Sequence, residues 1–367
     1  MITDSVFSPS FGNRPQVFVG RTETIASVLQ GLQEMPGSRE RAVLVLGQRG
    51  YGKTVLLFEI ADAARRAGYI VSSPTVVSSE MHTRILEKLT EEGRDVLPKK
   101  KKRVAGGSIG VLGFSAGLQF QGEQAGKISF AGKLSELCRQ INQGGKGVLI
   151  LIDELVANQE ELRQLVIAYQ EMVGEGRNVA MILAGLPSAV ATTLQDHVLT
   201  FLNRAKKIEL EPLRIREIDS YYQEVFAKLG VMIPAKLRTE AAEATKGSPY
   251  LMQLIGHYIT IGASAGRMVT EDELAEALGR ASADFRNDIC QTSLKPLSEK
   301  DVAFLAAMAQ EEAEEIRISD IQQRIGATSS HTQTYKRRLI QSGIIEQTGR
   351  GKVRFAIPFL REYLNEQ

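Results

Sequence analysis

Only two cysteines, Cys138 and Cys290, occur in the 367 residues. They are too few and too far apart for a disulfide framework or a thiolate metal cluster, so both are expected as reduced thiols inside helices. No apolar run reaches the roughly 18 residues that a membrane-spanning helix needs. Residues Met1 to Asn13 lack the basic and apolar regions of a secretory signal, which points to a cytoplasmic location and no membrane partner. Charge of one sign is also lacking: 45 Lys and Arg face 43 Asp and Glu, a net charge of +2. Whole-chain charge therefore indicates no nucleic-acid partner, and only local clusters bear on that question. Internal repeats are absent. The hydrophobic content of 43% and the length allow two or three domains with real cores.

Against this background one motif stands out. Gly47-Gln48-Arg49-Gly50-Tyr51-Gly52-Lys53-Thr54 follows the apolar run Ala42 to Leu46 and precedes the apolar helix pattern of Val55, Leu56, Leu57, Phe58 and Ile60. This is the G-x-x-x-x-G-K-[ST] phosphate loop in its required strand, loop and helix context. The glycines let backbone N–H groups close around phosphates, Lys53 brings a charge to the β and γ oxygens, and Thr54 offers a hydroxyl to Mg²⁺. The helix starting near Lys53 adds its positive end. ATP or ADP with Mg²⁺ is the expected ligand.

About a hundred residues later, Val148 to Ile152 runs without alternation into Asp153-Glu154. Such a run reads as a central parallel strand covered on both faces. Its end would lie at the ligand-binding edge of an open α/β sheet. There Asp153 would hold Mg²⁺ and Glu154 would polarise the attacking water. The bland alternative is a strand ending in a polar turn.

Ahead of the loop, Phe18-Val19-Gly20-Arg21 enters a helix with apolar positions Ile25, Val28, Leu29 and Leu32. With the phosphate loop and the Asp153-Glu154 pair, this element resembles the AAA+ ATPases, most closely their origin-recognition and initiator-type branch. The resemblance extends over residues 15 to 363 and implies that Gly20 and Arg21 approach the adenine ring. Val179 to Gly185 reads as the next buried strand. It ends without the Asn or Thr that often serves the family as a sensor, leaving Ser188 as a weak substitute. Arg204 lies where the family often carries an arginine finger, which would act on a neighbouring subunit of a homo-oligomer. A solvated surface arginine is the alternative there.

Residues 216–293 read as a helical lid, with Ile218, Tyr221, Tyr222, Val225, Phe226 and Leu229 at helical spacing. The turn Gly247-Ser248-Pro249 opens the helix Leu251 to Ile259, and no arginine occupies its first turn. The turn resembles that of relatives which contact nucleotide through the turn itself, making Pro249 a packing candidate, with simple helix punctuation as the alternative.

The C-terminal residues 294–367 read as a winged helix-turn-helix. Ser298 caps a first helix, Ile318 to Ile325 forms a second, and Ser330 is expected to cap a third with Tyr335, Leu339 and Ile340 inside. Two short strands flank the glycine-rich, basic turn at Gly349 to Lys352. Between Ile316 and Tyr363 there are nine Lys or Arg against three Asp or Glu, the footprint of a surface meeting phosphates. Lys336 and Arg337 on the third helix, and Arg350, Lys352 and Arg354 on the wing, are the expected duplex DNA contacts. His331, Gln333 and Thr334 are better placed for base edges. A winged helix that docks a protein partner is the competing reading.

The segment 96–132, with its run Lys99 to Arg103 and spaced glycines, reads as an insertion forming a hairpin or flap. The expected fold is α/β: an AAA+-like P-loop NTPase with a parallel sheet over residues 1–215, then lid and winged helix. The expected function is that of an ATP hydrolase acting as a DNA-associated switch. The alternative is a signalling or defence ATPase whose winged helix binds protein. A small-molecule kinase fits the lid and the C-terminal domain poorly.

Overall fold

The computed structural model describes residues 19–98 and 129–367, together with Asp4, Val6, Phe7 and Pro9. The run Lys99 to Arg103 and the glycine-spaced segment to Ile128, where a hairpin or flap is expected, lie outside the described residues.

Five short apolar runs form one sheet: β1 (Ala42–Leu46), β2 (Tyr69–Val76), β3 (Gly147–Asp153), β4 (Val179–Gly185) and β5 (Lys206–Glu209). Their order is β2-β3-β4-β1-β5, and every pairing is parallel. All residues of β3 and β4 are buried, as unalternated strands between two helical layers must be. Alternation along the strands divides the core. Val43, Val45, Leu149 and Leu151 face α1 (Thr22–Gln33) and α2 (Lys53–Arg66). Leu44, Ile150 and Ile152 face the other layer, built by α3 (Met81–Glu92), α4 (Phe130–Gln143), α5 (Glu160–Gly174) and α6 (Pro187–Leu194). Phe130 to Gly132, read from sequence as part of the hairpin or flap, instead form the first turn of α4. The hydroxyl of Ser129 accepts the Gly132 N–H at 3.2 Å, a cap that favours helix there.

The lid comprises α7 (Ile215–Leu229), α8 (Ala235–Ala244), α9 (Pro249–Gly262) and α10 (Glu271–Phe285). A π-turn, Arg286–Gln291, and a single turn, Thr292–Leu294, lead onward. The C-terminal region then folds as α11 (Glu299–Ala309), β6 (Ile316–Arg317), α12 (Ile318–Ile325), α13 (Ser329–Gln341), β7 (Ile345–Gly349), β8 (Lys352–Phe355) and α14 (Leu360–Asn365). Its strands pair in the order β6-β8-β7, so the wing has a third strand that the sequence reading lacked. Thr328, not Ser330, caps α13: its hydroxyl accepts the His331 N–H at 3.3 Å. Ser330 falls inside the helix, where its carbonyl accepts the Thr334 hydroxyl at 3.0 Å. Lid and winged helix share one continuous apolar core that includes Tyr222, Leu251, Phe285, Phe304, Leu339 and Val353. The two parts are therefore closely packed on one another.

Among the described residues no helix is long and apolar enough to cross a membrane. Cys138, in α4, and Cys290, in the π-turn, are free and buried. Burial pushes both thiols up to about 12, so neither is reactive.

Candidate nucleotide-binding site

The site is built where β1, β3 and β4 end. Gly47 N–H donates to Gly185 carbonyl at 3.3 Å, placing the loop at the end of the neighbouring strand. Gly50 and Gly52 have φ of +77° and +79°, which side chains other than glycine rarely tolerate. Gly52 precedes the first turn of α2, whose N–H groups have no partners within the helix and point into the loop. Lys53 Nζ donates to the carbonyls of Gly47 and Gln48, both at 2.8 Å. Its pKa is lowered to about 8, chiefly by burial, with Arg49 acting in the same direction and Asp153 and Glu154 opposing. A half-buried ammonium bonded to two carbonyl oxygens is a ready receptor for phosphate.

Thr54 and the buried Asp153 meet directly: the hydroxyl donates to Oδ2 at 2.6 Å. The other carboxylate oxygen accepts the Glu154 N–H at 2.9 Å. Glu154 is exposed and has φ +52°, a costly left-handed conformation for this residue type. Leu155 N–H to Ala184 carbonyl, 2.8 Å, holds the turn in place. A hydroxyl and a carboxylate side by side are hard oxygen donors of the kind that could hold a magnesium ion. No cluster of three or more His, Cys, Asp or Glu suited to a metal occurs among the described residues.

These groups open on a cleft of about 560 Å³ between sheet and lid, within the range of small-molecule sites. Arg49, Gly50, Tyr51, Gly52, Lys53, Thr54, Asp153 and Glu154 line one side, and Arg21, Pro249 and Tyr250 belong to the rest of the wall. Gly20 has φ +71°, and a Cβ there would lie 2.8 Å from Glu217 Oε2. The positive φ is what favours glycine at this turn, since the Glu217 carboxylate can move aside. Arg21 donates to the Glu211 carbonyl, which holds the N-terminal segment against the end of β5.

Gln48 points elsewhere. Its amide lies 3.5 Å from Glu346 on β7, at the outer limit of a hydrogen bond. A Cβ on Gly343 would lie 3.0 Å from Leu186 and 3.2 Å from Gln48 Oε1, so the winged helix packs against the phosphate loop. Ser188, the substitute sensor of the sequence reading, donates to the Gln341 carbonyl at 3.0 Å and thus serves the same interface. Burial raises the Tyr51 phenol, Glu346 adds to the shift, and Arg354 and Arg21 oppose it.

Arg204 does not reach the cleft of its own chain. It precedes β5, whose Lys206 lies beside Val43 near the start of β1, at the sheet edge opposite the phosphate loop. It is exposed.

On the winged helix, His331, Gln333, Arg337 and Arg350 are exposed, and Thr334 and Lys336 half-buried. Lys352 is paired with Glu315 at 2.8 Å. Arg354 pairs with Glu346 and, at 3.4 Å, with Glu314. Their charge is therefore already offset, because the acidic run Glu311 to Glu315 folds back on the wing. The sequence count began just after that run. Arg317, exposed on β6, is a further base of the same stretch. Arg317, Lys336, Arg337 and Arg350 have no ion-pair partner among the described residues.

Comparison with known proteins agrees with this geometry. The AAA ATPase domain model matches residues 17–182, and the model of a domain of unknown function (DUF8462) matches residues 287–364. A search of curated proteins finds no match. Among solved structures, the chain is similar to a Walker-type ATPase of Pyrococcus abyssi, with 16% identity over 98% of this chain and 99% of that one and a TM-score of 0.68. It is also similar to the ORC2 protein of Aeropyrum pernix in its ADPNP-ADP complexes, with 13% identity over 98% and 96% and a TM-score of 0.61. The ADP form of that protein gives 15% identity over the same shares and a TM-score of 0.57. At such identities the likeness is one of fold, and it extends over nearly the whole chain. The phosphate loop and the aspartate-glutamate pair both lie within residues 17–182, which match the AAA ATPase domain, so the chain carries a P-loop ATPase domain, that of an ATP hydrolase, on its five-stranded parallel sheet.

Proposed function

We propose that the protein is an ATP-driven, DNA-associated molecular switch that works in the cytoplasm, binding Mg²⁺ and ATP between sheet and lid and duplex DNA at the winged helix. The observation that carries this reading is the contact of Gln48 with Glu346 and Gly343, which puts nucleotide loop and winged helix in direct touch. Lys53 now bonds two loop carbonyls. A triphosphate would draw its ammonium away, and the loop that carries Gln48 would respond. Because lid and winged helix share a core, closure on nucleotide would move both. Thr54 and Asp153 are the residues to hold Mg²⁺, which would neutralise phosphate charge. Glu154 then orients water for in-line attack on the γ-phosphate while Lys53 stabilises the developing charge.

The test uses the full chain with ATP and a short duplex. Lys53→Ala should lose nucleotide binding, whereas Glu154→Gln should bind normally and turn over roughly 10²- to 10⁴-fold more slowly. In the wild type, ATP should change duplex affinity, and in Lys53→Ala it should not. Duplex affinity that ignores nucleotide in the wild type, or no duplex binding at all, rejects the DNA switch. The second reading, a signalling or defence ATPase whose winged helix docks protein, draws support from the neutralised wing bases Lys352 and Arg354. It would then take first place.

A further inference from the structure

One wall of the cleft comes from a segment that no motif announces. Between lid and winged helix the chain makes the π-turn Arg286–Gln291. Its i to i+5 hydrogen bonding re-aims the side chains relative to a continuous α-helix, and such turns concentrate at functional sites. Here Asp288 and Ile289, with Thr292 and Ser293 from the next turn, reach the cleft. Asp288 Oδ2 accepts the hydroxyl of Tyr250 at 2.6 Å. Tyr250 stands in the first turn of α9 beside Pro249, and a Cβ on Gly52 of the phosphate loop would lie 3.8 Å from that proline's ring.

A second pair, Tyr258 with Asp284, joins α9 to α10 but does not line the cleft. Pairing alone is thus lid packing, and access to the ligand is what sets Asp288 apart. Among the described residues Asp288 has no ion-pair partner; its donor is a neutral hydroxyl. An ionised carboxylate repels a triphosphate, and the phosphate end of the cleft is already furnished with Lys53 and Arg49. The partners that suit Asp288 are neutral hydrogen-bond donors, and on a nucleotide these are the ribose hydroxyls and the exocyclic amino group.

We propose that Asp288, held by Tyr250, reads the nucleoside half of the bound nucleotide by accepting a hydrogen bond from a ribose hydroxyl or the base amino group. The inference rests on the nucleotide site described above. The same π-turn is tied to the end of the chain by Arg286 and Glu366, 2.6 Å apart, and by Cys290 Sγ to the Pro358 carbonyl at 3.6 Å.

The experiment is calorimetric binding of ATP, 2′-deoxy-ATP, 3′-deoxy-ATP and inosine triphosphate to the full chain. Wild type is compared with Asp288→Ala, Asp284→Ala and Lys53→Ala, with melting temperature as the check on folding. Wild type should bind one analogue roughly tenfold more weakly than ATP, the effect of one hydrogen bond to a charged group. Asp288→Ala should abolish that preference, and Asp284→Ala should keep it. A weak deoxy analogue assigns the ribose, and weak inosine triphosphate assigns the base. Equal binding of all four by the wild type overturns the proposal. So does an Asp288→Ala protein that loses affinity for all four by one common factor. Lys53→Ala should weaken every ligand; if it does not, the phosphate site itself is misassigned, a failure distinct from that of Asp288.

Discussion

Ser188 donates its hydroxyl to the main-chain carbonyl of Gln341 at 3.0 Å, joining the helix after β4 to the last turn of α13. β4 ends beside the phosphate loop, and α13 is the helix proposed to meet DNA. The bond thus fastens the winged helix near the nucleotide. Removing it in Ser188→Ala should weaken the docking by about 1 kcal/mol, the usual net value of such a bond. Amide exchange around Ile340 to Ile345 should then rise in the variant without a change in nucleotide affinity. Unchanged exchange there would mean that Gly343 and Leu186 hold the interface alone.

Lys53 gives a pH dependence with a definite sign. Its pKa in the unliganded fold is about 8, lowered mainly by burial, and bound phosphate must raise it again. Below pH 8 the lysine is charged in both states and nucleotide affinity should be flat with respect to this group. Above pH 8 binding has to recapture a proton, so affinity should fall by up to about tenfold per pH unit. Calorimetry in buffers of different ionisation enthalpy should detect proton uptake near pH 9. Stability of the free protein runs the other way: between pH 8 and the unfolded value of 10.5 the unfolded state binds more protons, so this residue's contribution rises with pH.

The phosphate loop and the Asp153-Glu154 pair were legible because their chemistry is local. Fixed φ at Gly50 and Gly52, an apolar strand and a helix start all lie within a few neighbouring residues. The helix Ile318–Ile325 was legible to the residue because Gly326, at φ +59°, ends it. β2 was not, since Ser72, Ser73 and Pro74 interrupt its apolar pattern and its register shifts between Ser72 and Thr75. The π-turn reads in sequence as ordinary helix. Ser188 and the wing bases needed tertiary information: one finds Gln341 across a domain boundary, and the others find carboxylates from Glu314 and Glu315 that precede the counted window. Local pattern records which groups are present, while their partners are set by packing.

Arg204 is exposed at the edge of the sheet opposite the phosphate loop, so any catalytic contact must be made on a neighbouring copy of the chain. Arg204→Ala and Glu154→Gln should each turn over ATP at least roughly 10²-fold more slowly than wild type. Mixed together, they can form interfaces in which an intact Arg204 faces an intact Glu154. Part of the activity should return in proportion to those interfaces. If activity stays at the level of the separate variants over a range of mixing ratios, Arg204 is a surface residue.

The wing supplies a contrast between two groups of bases that look alike in sequence. Lys336, Arg337 and Arg350 have no acidic partner among the described residues, whereas Lys352 and Arg354 are held by Glu315, Glu314 and Glu346. If the winged helix meets duplex phosphates, neutralising any of the first three should flatten the dependence of log affinity on log salt by roughly 0.9 per contact. Neutralising Lys352 or Arg354 should change the slope less, because an intramolecular carboxylate already occupies the phosphate's place. Glu314→Gln with Glu315→Gln should do the reverse, freeing Lys352 and leaving Arg354 with Glu346 alone, tightening duplex binding and steepening the slope. His331→Ala and Gln333→Ala should relax sequence preference more than they lower bulk affinity, since both are exposed in the first turns of α13 and base edges are read from such positions. Equal slope changes for all five basic variants, with no gain from the glutamate pair, would show that the acidic run does not compete with DNA; no slope change in any of them would show that the wing faces another partner.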